Sequence, residues 1–173
     1  MATVRIPGVR IAGLISAVPA DRRSVHAFDG TFSPEEITKI SQSTGVEYRH
    51  VADKLCCSDL CLAAARRLLK DLDWDPASVD GLIFVSQSPD FPMVSATSCT
   101  LHARLGLAKS CATFDVTLGC SGHVYGMWQA ASLIAAGGLS RVLVLAGDIS
   151  TCGCSPFDRS TALIFGDAGS ATA

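Results

Sequence analysis

Two stretches, "VDGLIFVSQS" (79–88) and "RVLVLAGD" (141–148), carry apolar residues without the alternation of a half-exposed strand. A strand of that kind has to be covered above and below, which happens when helices cross over a parallel sheet. The segments between supply such helices. From Ser58, the residues Cys61, Ala65, Leu68 and Leu72 fall on one helical stripe, while Arg66, Arg67, Lys70 and Asp71 lie mostly around the other side. The pattern predicts a helix capped by Ser58 and closed before Pro76. Ser33-Pro34 followed by two glutamates predicts another, ended by Gly45. "VRIAGLISAVP" (9–19) alternates as an opening strand. A helix is expected over about 95–105, a strand at "CATFDVTLG", and a helix from about Ser121 to Ala136. The fold class is therefore α/β, with helices on both faces of a mostly parallel sheet.

The chain has 173 residues, and neither a repeat nor a linker divides it, so one domain over 1–173 is expected. A formal net charge of −2 leaves no electrostatic footprint for nucleic acid or an anionic membrane surface. No basic leader opens the chain, and no apolar run approaches the roughly 20 residues of a membrane span. A soluble, cytoplasmic protein is the expectation. Eight cysteines stand at 56, 57, 61, 99, 111, 120, 152 and 154. A disulfide framework belongs to small secreted chains without a core, and "CC" and "CGC" are poor substitutes for zinc spacing. Seven of the eight read as small buried hydrophobes.

Cys120 is the exception. In "DVTLGCSGHVYG" (115–126) it stands between a strand and a helix, with glycine at 119 and 122. A thiol attacks as its thiolate, and the N terminus of a helix favours that anion. The same N–H groups can hold the oxyanion of a thioester under attack. A buried structural cysteine at the junction is the competing reading. His123 lies in the first helical turn and projects poorly back over a thiol at the cap. His26, His50 and His102 have no contextual support as partners. The chain thus suggests a nucleophile and no base for it.

Beyond the corner, "ATFDVTLGCSGHVYGMWQAASLIAAG", "RVLVLAGDIST" and "SPFDRSTALIFGDAGSATA" together resemble the first half of a β-ketoacyl-acyl-carrier-protein synthase III of the thiolase superfamily. "RIAGLISAVP", "STGVEYRHV" and "PDFPMVSATSCTLHARLGL" fall in the matching order. The resemblance implies one α-β-α-β-α half of a duplicated thiolase-like fold. It implies that Cys120 takes an acyl group from a thioester before decarboxylative condensation with a malonyl-carrier thioester. No cofactor is implied; coenzyme A or an acyl-carrier thioester is substrate, with acyl carrier protein and a second copy of the chain as partners. The family's assisting His and Asn would come from a second, C-terminal half. "STALIFGDAGSATA" breaks off inside what reads as a strand, so the chain is expected to continue into that half.

Phe91 matches an aromatic that in relatives borders the partner's acyl pocket, and Arg159 matches an arginine that packs on the adenine of coenzyme A. A loop phenylalanine beside Pro92, and an ion pair of Arg159 with Asp158 or Asp167, are the plainer readings. Lys39 and Ser43 stand where the resemblance expects a tryptophan and an arginine that hold coenzyme A, so affinity for free acetyl-CoA should be poor. Three classes remain, in this order: a condensing enzyme, a non-catalytic dimerisation subunit on the same half-fold, and a metal or redox protein using Cys152 and Cys154.

Overall fold

The apolar runs form the middle of a sheet. In the computed structural model, which describes residues 3–28, 32–91 and 93–173, the strands are β1 (Leu14–Ala17), β2 (Arg22–Ser24), β3 (Tyr48–His50), β4 (Gly81–Val85), β5 (Ala112–Val116), β6 (Val142–Ile149) and β7 (Asp167–Thr172). The helices are α1 (Pro34–Thr44), α2 (Cys57–Asp71), α3 (Thr97–Leu105), α4 (Gly122–Ala135) and the single turn α5 (Ser150–Gly153). The main sheet is ordered β1-β7-β6-β4-β5. Strand β4 is parallel to both β5 and β6, whereas β7 runs antiparallel to β6 and to β1. Four strands therefore share one direction and β7 alone opposes them. A separate ribbon pairs β2 with β3.

Every residue of β4 is buried, and its side chains divide by the pleat. Leu82 and Phe84 join Leu143 and Leu145 of β6 in a core with α2 and α3. Ile83 and Val85 join Val142 and Val144 beneath α4. A smaller cluster of Val25, Ile37 and Leu163 seats α1. The sheet is thus covered on both faces, as its continuous apolar strands require.

Helix α1 begins as expected. Ser33 Oγ accepts from Glu36 N at 3.2 Å, Glu36 Oε2 accepts from Ser33 N at 3.0 Å, and Gly45 closes the helix at φ 74°. Helix α2 differs from the sequence reading: its cap is Cys56, whose N–H is taken by the Asp59 carboxylate at 3.0 Å. Ser58 lies buried in the first turn and donates its N–H to Asp90 Oδ1 at 3.1 Å. A carboxylate three residues on reaches back to the cap more readily than a serine already inside the helix. The opening strand is also shorter than 9–19. Its ladder to β7 covers Leu14–Ala17, with Ala12 and Gly13 adding bonds to Ala173.

The cysteine expectation holds for Cys57, Cys61 and Cys111, which are buried, and fails for Cys56, Cys99 and Cys152, which are exposed; Cys154 is half-buried. Cys99 shows why: α3 buries Thr97, Ser98, Leu101 and Leu105, so position 99 faces outward. Among the described residues, no helix is long and apolar enough to cross a membrane.

Candidate active site

Strands β5, β4 and β6 are parallel, so their carboxyl ends arrive on one edge of the sheet, where open α/β folds bind ligands. After β5 the chain turns through Thr117, Leu118 and Gly119 to Cys120 and enters α4 two residues later. Gly119 O accepts from Gly122 N at 2.7 Å, which tightens the corner. The Cys120 side chain is exposed, and its backbone N–H donates to no other group among the described residues. The thiol stands at the opening helix turn, where unpaired N–H groups gather.

Helix α4 approaches the sheet closely because glycines face it. A Cβ on Gly122 would lie 2.6 Å from Val85 Cγ1, and one on Gly126 would lie 2.8 Å from Val85 Cγ2. The glycine two residues after Cys120 therefore serves helix–sheet contact. Asp115 has a structural task too. Its carboxylate accepts from Thr97 N at 2.8 Å and Ser98 N at 2.9 Å, capping α3 from the neighbouring strand. Residues on either side of Cys120 thus set two helices, Asp115 holding α3 and Gly122 seating α4.

Cys120 opens onto a cleft of about 420 Å³ whose walls include Ser16, Leu118, His123, Asp148 and Ser170. His123 Nε2 lies 3.4 Å from Thr172 Oγ1, so the ring is engaged with β7. Asp148, at the carboxyl end of β6, accepts from the Ser86–Ser88 loop. The sequence places Ser86–Ser88 inside the strand 79–88 and gives Asp148 no role; β4 in fact ends at Val85, and residues 86–88 form the loop. Their signal is position alone: Asp148 lies at the carboxyl end of β6, and the loop follows directly on β4.

Phe91 and Arg159 do not line this cleft. Phe91 is 38% exposed on the loop after β4, and Pro92 lies outside the described residues. Arg159 pairs with Glu36 of α1 at 3.4 Å and not with Asp158 or Asp167, the plainer alternative to coenzyme A packing. Those two carboxylates are already engaged. Asp158 accepts from Thr161 Oγ1 at 2.6 Å and Ser160 N at 2.9 Å. Asp167 is buried and accepts from Ala52 N and from both Thr151 N and its hydroxyl. The ion pair brings Arg159 to α1, where positions 36, 39 and 43 follow one helical face. Arg159, Lys39 and Ser43 therefore share one surface, apart from the thiol cleft. Among the described residues, no three His, Cys, Asp or Glu side chains gather as a metal site.

Known proteins resemble this chain in sequence and in fold. The model of the 3-oxoacyl-[acyl-carrier-protein] synthase III family matches residues 114–173, from β5 through the cysteine corner to β7. A Campylobacter jejuni relative is 36% identical over 172 residues, covering 97% of this chain and 48% of its own length. A β-ketoacyl-[acyl-carrier-protein] synthase III of Streptomyces coelicolor is 41% identical over 129 residues, 74% of this chain and 38% of its own. The crystal structure of a 3-oxoacyl-(acyl-carrier-protein) synthase from Burkholderia xenovorans superposes with a TM-score of 0.94 at 39% identity, covering 98% of this chain and 48% of that one. The α/β architecture with its mostly parallel mixed sheet is thus the thiolase-like half that the motifs implied. In sequence and in fold the chain is similar to 3-oxoacyl-[acyl-carrier-protein] synthase III proteins, and it spans about half the length of the relatives it matches.

Proposed function

We propose that this chain supplies the acyl-accepting half of a condensing enzyme. The Cys120 sulfur attacks the carbonyl carbon of an acyl thioester, the carrier thiol departs with the proton, and an acyl-enzyme remains. A malonyl-carrier thioester then loses carbon dioxide, and its α-carbon attacks the acyl-enzyme carbonyl. The new carbon–carbon bond yields a 3-oxoacyl thioester and returns the Cys120 thiol. The observation that carries this reading is the exposed thiol on the turn into α4, at the carboxyl ends of three parallel strands. The unengaged Cys120 N–H would serve the oxyanion.

The step after acylation needs groups that assist decarboxylation, and by the family resemblance a second half supplies its His and Asn. Two observations support a continuation of this kind: the relatives run to about twice the matched length, and α4 leaves Val124, Tyr125 and Trp128 exposed on its outer side. The domain without that half should accept an acyl group and go no further. Arg159 and Phe91 enter the proposal as contacts for the adenine of coenzyme A and for the border of a partner's acyl pocket, since both side chains are open to solvent.

Intact-protein mass spectrometry after incubation with a panel of acyl thioesters tests the reading. One acyl mass that Cys120→Ala abolishes is expected. A chain that gains nothing from any thioester would move the assignment to a non-catalytic subunit on the same half-fold.

A further inference from the structure

Asp148 holds an unusual number of donors for a strand-end residue. Its Oδ1 accepts from Ser86 Oγ at 2.8 Å, Gln87 N at 2.8 Å, Ser88 N at 3.1 Å and Ser88 Oγ at 3.1 Å. Ser88 Oγ in turn accepts from Ile149 N at 2.8 Å, so the loop is tied to both sides of the carboxylate. The sheet does not require this knot. Strands β4 and β6 are already in register from Gly81↔Val142 to Val85↔Ala146, and a loop past the end of a strand can be solvated by water. A half-buried carboxylate is costly unless donors converge on it, and here four converge from one loop.

The other side of that loop meets the thiol's turn. Gln87 Oε1 lies 2.9 Å from where a Cβ on Gly119 would stand, so the Gln87 carboxamide packs on the residue before Cys120. Asp148 and Cys120 also border the same cleft. We propose that Asp148 is a positioning residue for Cys120, acting through the Ser86–Gln87–Ser88 loop and the contact of Gln87 on Gly119. The inference rests on the reading of Cys120 as the acyl acceptor, and it adds the group that fixes where the thiol stands. Small misplacements of a reacting group are expensive in rate, which gives a carboxylate outside the chemistry a measurable effect.

The test uses the full-length polypeptide and two probes, iodoacetamide and the N-acetylcysteamine thioester of acetate, followed by peptide-resolved mass spectrometry. Asp148→Ala should lower the rate constant at Cys120 by about tenfold with each probe, the scale of a displaced reacting group. Asp148→Asn keeps an acceptor oxygen in place and should recover the rate to within about twofold. Labelling at exposed Cys152 should not change, and buried Cys57 and Cys61 should stay unlabelled, which separates positioning from general loss of structure. A wild-type rate constant at Cys120 in Asp148→Ala, or an Asn variant no better than Ala, would overturn the proposal. Should labelling of Cys57 and Cys61 show Asp148→Ala unfolded, Gln87→Ala decides, because it removes the contact on Gly119 and leaves the Asp148 bonds; an unchanged Cys120 there overturns it equally. A wild-type chain alkylated at Cys120 but never acylated would refute the acyl-acceptor reading, while the alkylation rates still decide the positioning claim.

Discussion

At the scale of single residues, exposure sorts the cysteines by what each can do. The Cys57 and Cys61 thiols meet at one helical spacing on α2, and the contact with Cys61 together with burial pushes the Cys57 thiol far above its usual range. Neither should react with iodoacetamide in the native protein. Both should label once urea unfolds it, whereas Cys120 labels throughout; native labelling of Cys57 would contradict the packing. Gly122 gives a second residue-scale prediction. A methyl there would meet Val85 Cγ1 at 2.6 Å and Leu118 Cβ at 3.1 Å, and Val85 is itself held between β4 and α4. Gly122→Ala should cost about 1–3 kcal/mol by overpacking, read as a lower urea midpoint with an unchanged slope. An unaltered midpoint would show that the corner has slack. The cysteine was visible in the sequence by its neighbours, but the purpose of Gly122 was not: a glycine for a turn and a glycine for contact look alike until the facing strand is known.

Among the elements, α3 depends on a residue it does not contain. Thr97 and Ser98 are fully buried, and their N–H groups end on the Asp115 carboxylate of β5. Asp115→Ala leaves both donors without a partner at a cost of about 1–3 kcal/mol each. A loss of several degrees in Tm is expected, with Asp115→Asn intermediate because one acceptor remains. Equal effects of Ala and Asn would show that charge, not acceptor geometry, holds the cap. Local capping was legible for α1, where Ser33 and Glu36 lie three residues apart. It was not legible for α3, because its cap arrives from another strand. The cap of α2 was misplaced by two residues for a related reason: Asp59 and Asp90 settle it together, and Asp90 comes from the loop after β4.

For the whole molecule, the doubly covered sheet outweighs its surface ion pairs. Burying a side chain such as Phe84 or Leu145 is worth roughly 1.5–3 kcal/mol, while exposed pairs such as Arg23–Asp21 contribute about 1 kcal/mol at most. Acid should still destabilise the fold. The Ser33 N–H and hydroxyl hold Glu36 below its usual range. At Asp59 burial pushes upward, but the Cys56 N–H and the Arg104 guanidinium outweigh it and the carboxyl titrates low. The Thr161 hydroxyl and the Ser160 N–H do the same for Asp158. Each group is lower in the folded than in the unfolded chain, so its contribution is complete above the unfolded value near about 4. That contribution disappears as pH falls through the folded values. Tm should hold from neutrality to about pH 5 and fall below about pH 4, less steeply in Asp59→Asn. A constant Tm down to about pH 3 would remove these carboxylates from the stability of the fold.

By itself the sequence determined the fold class, the order of its main elements and the one cysteine placed on a corner. Runs of apolar residues and helix-start residues act over a few positions, so they can be read locally. The tertiary structure alone decided which strand β7 opposes, which cysteines stay in water, that Arg159 meets Glu36, and that Asp148 gathers the loop beside the thiol. Those outcomes depend on residues distant in the chain, as Ser86 and Asp148 are, or on partners such as Glu36 that no local pattern names. Burial and hydrogen bonding select such pairs only after the layers have closed.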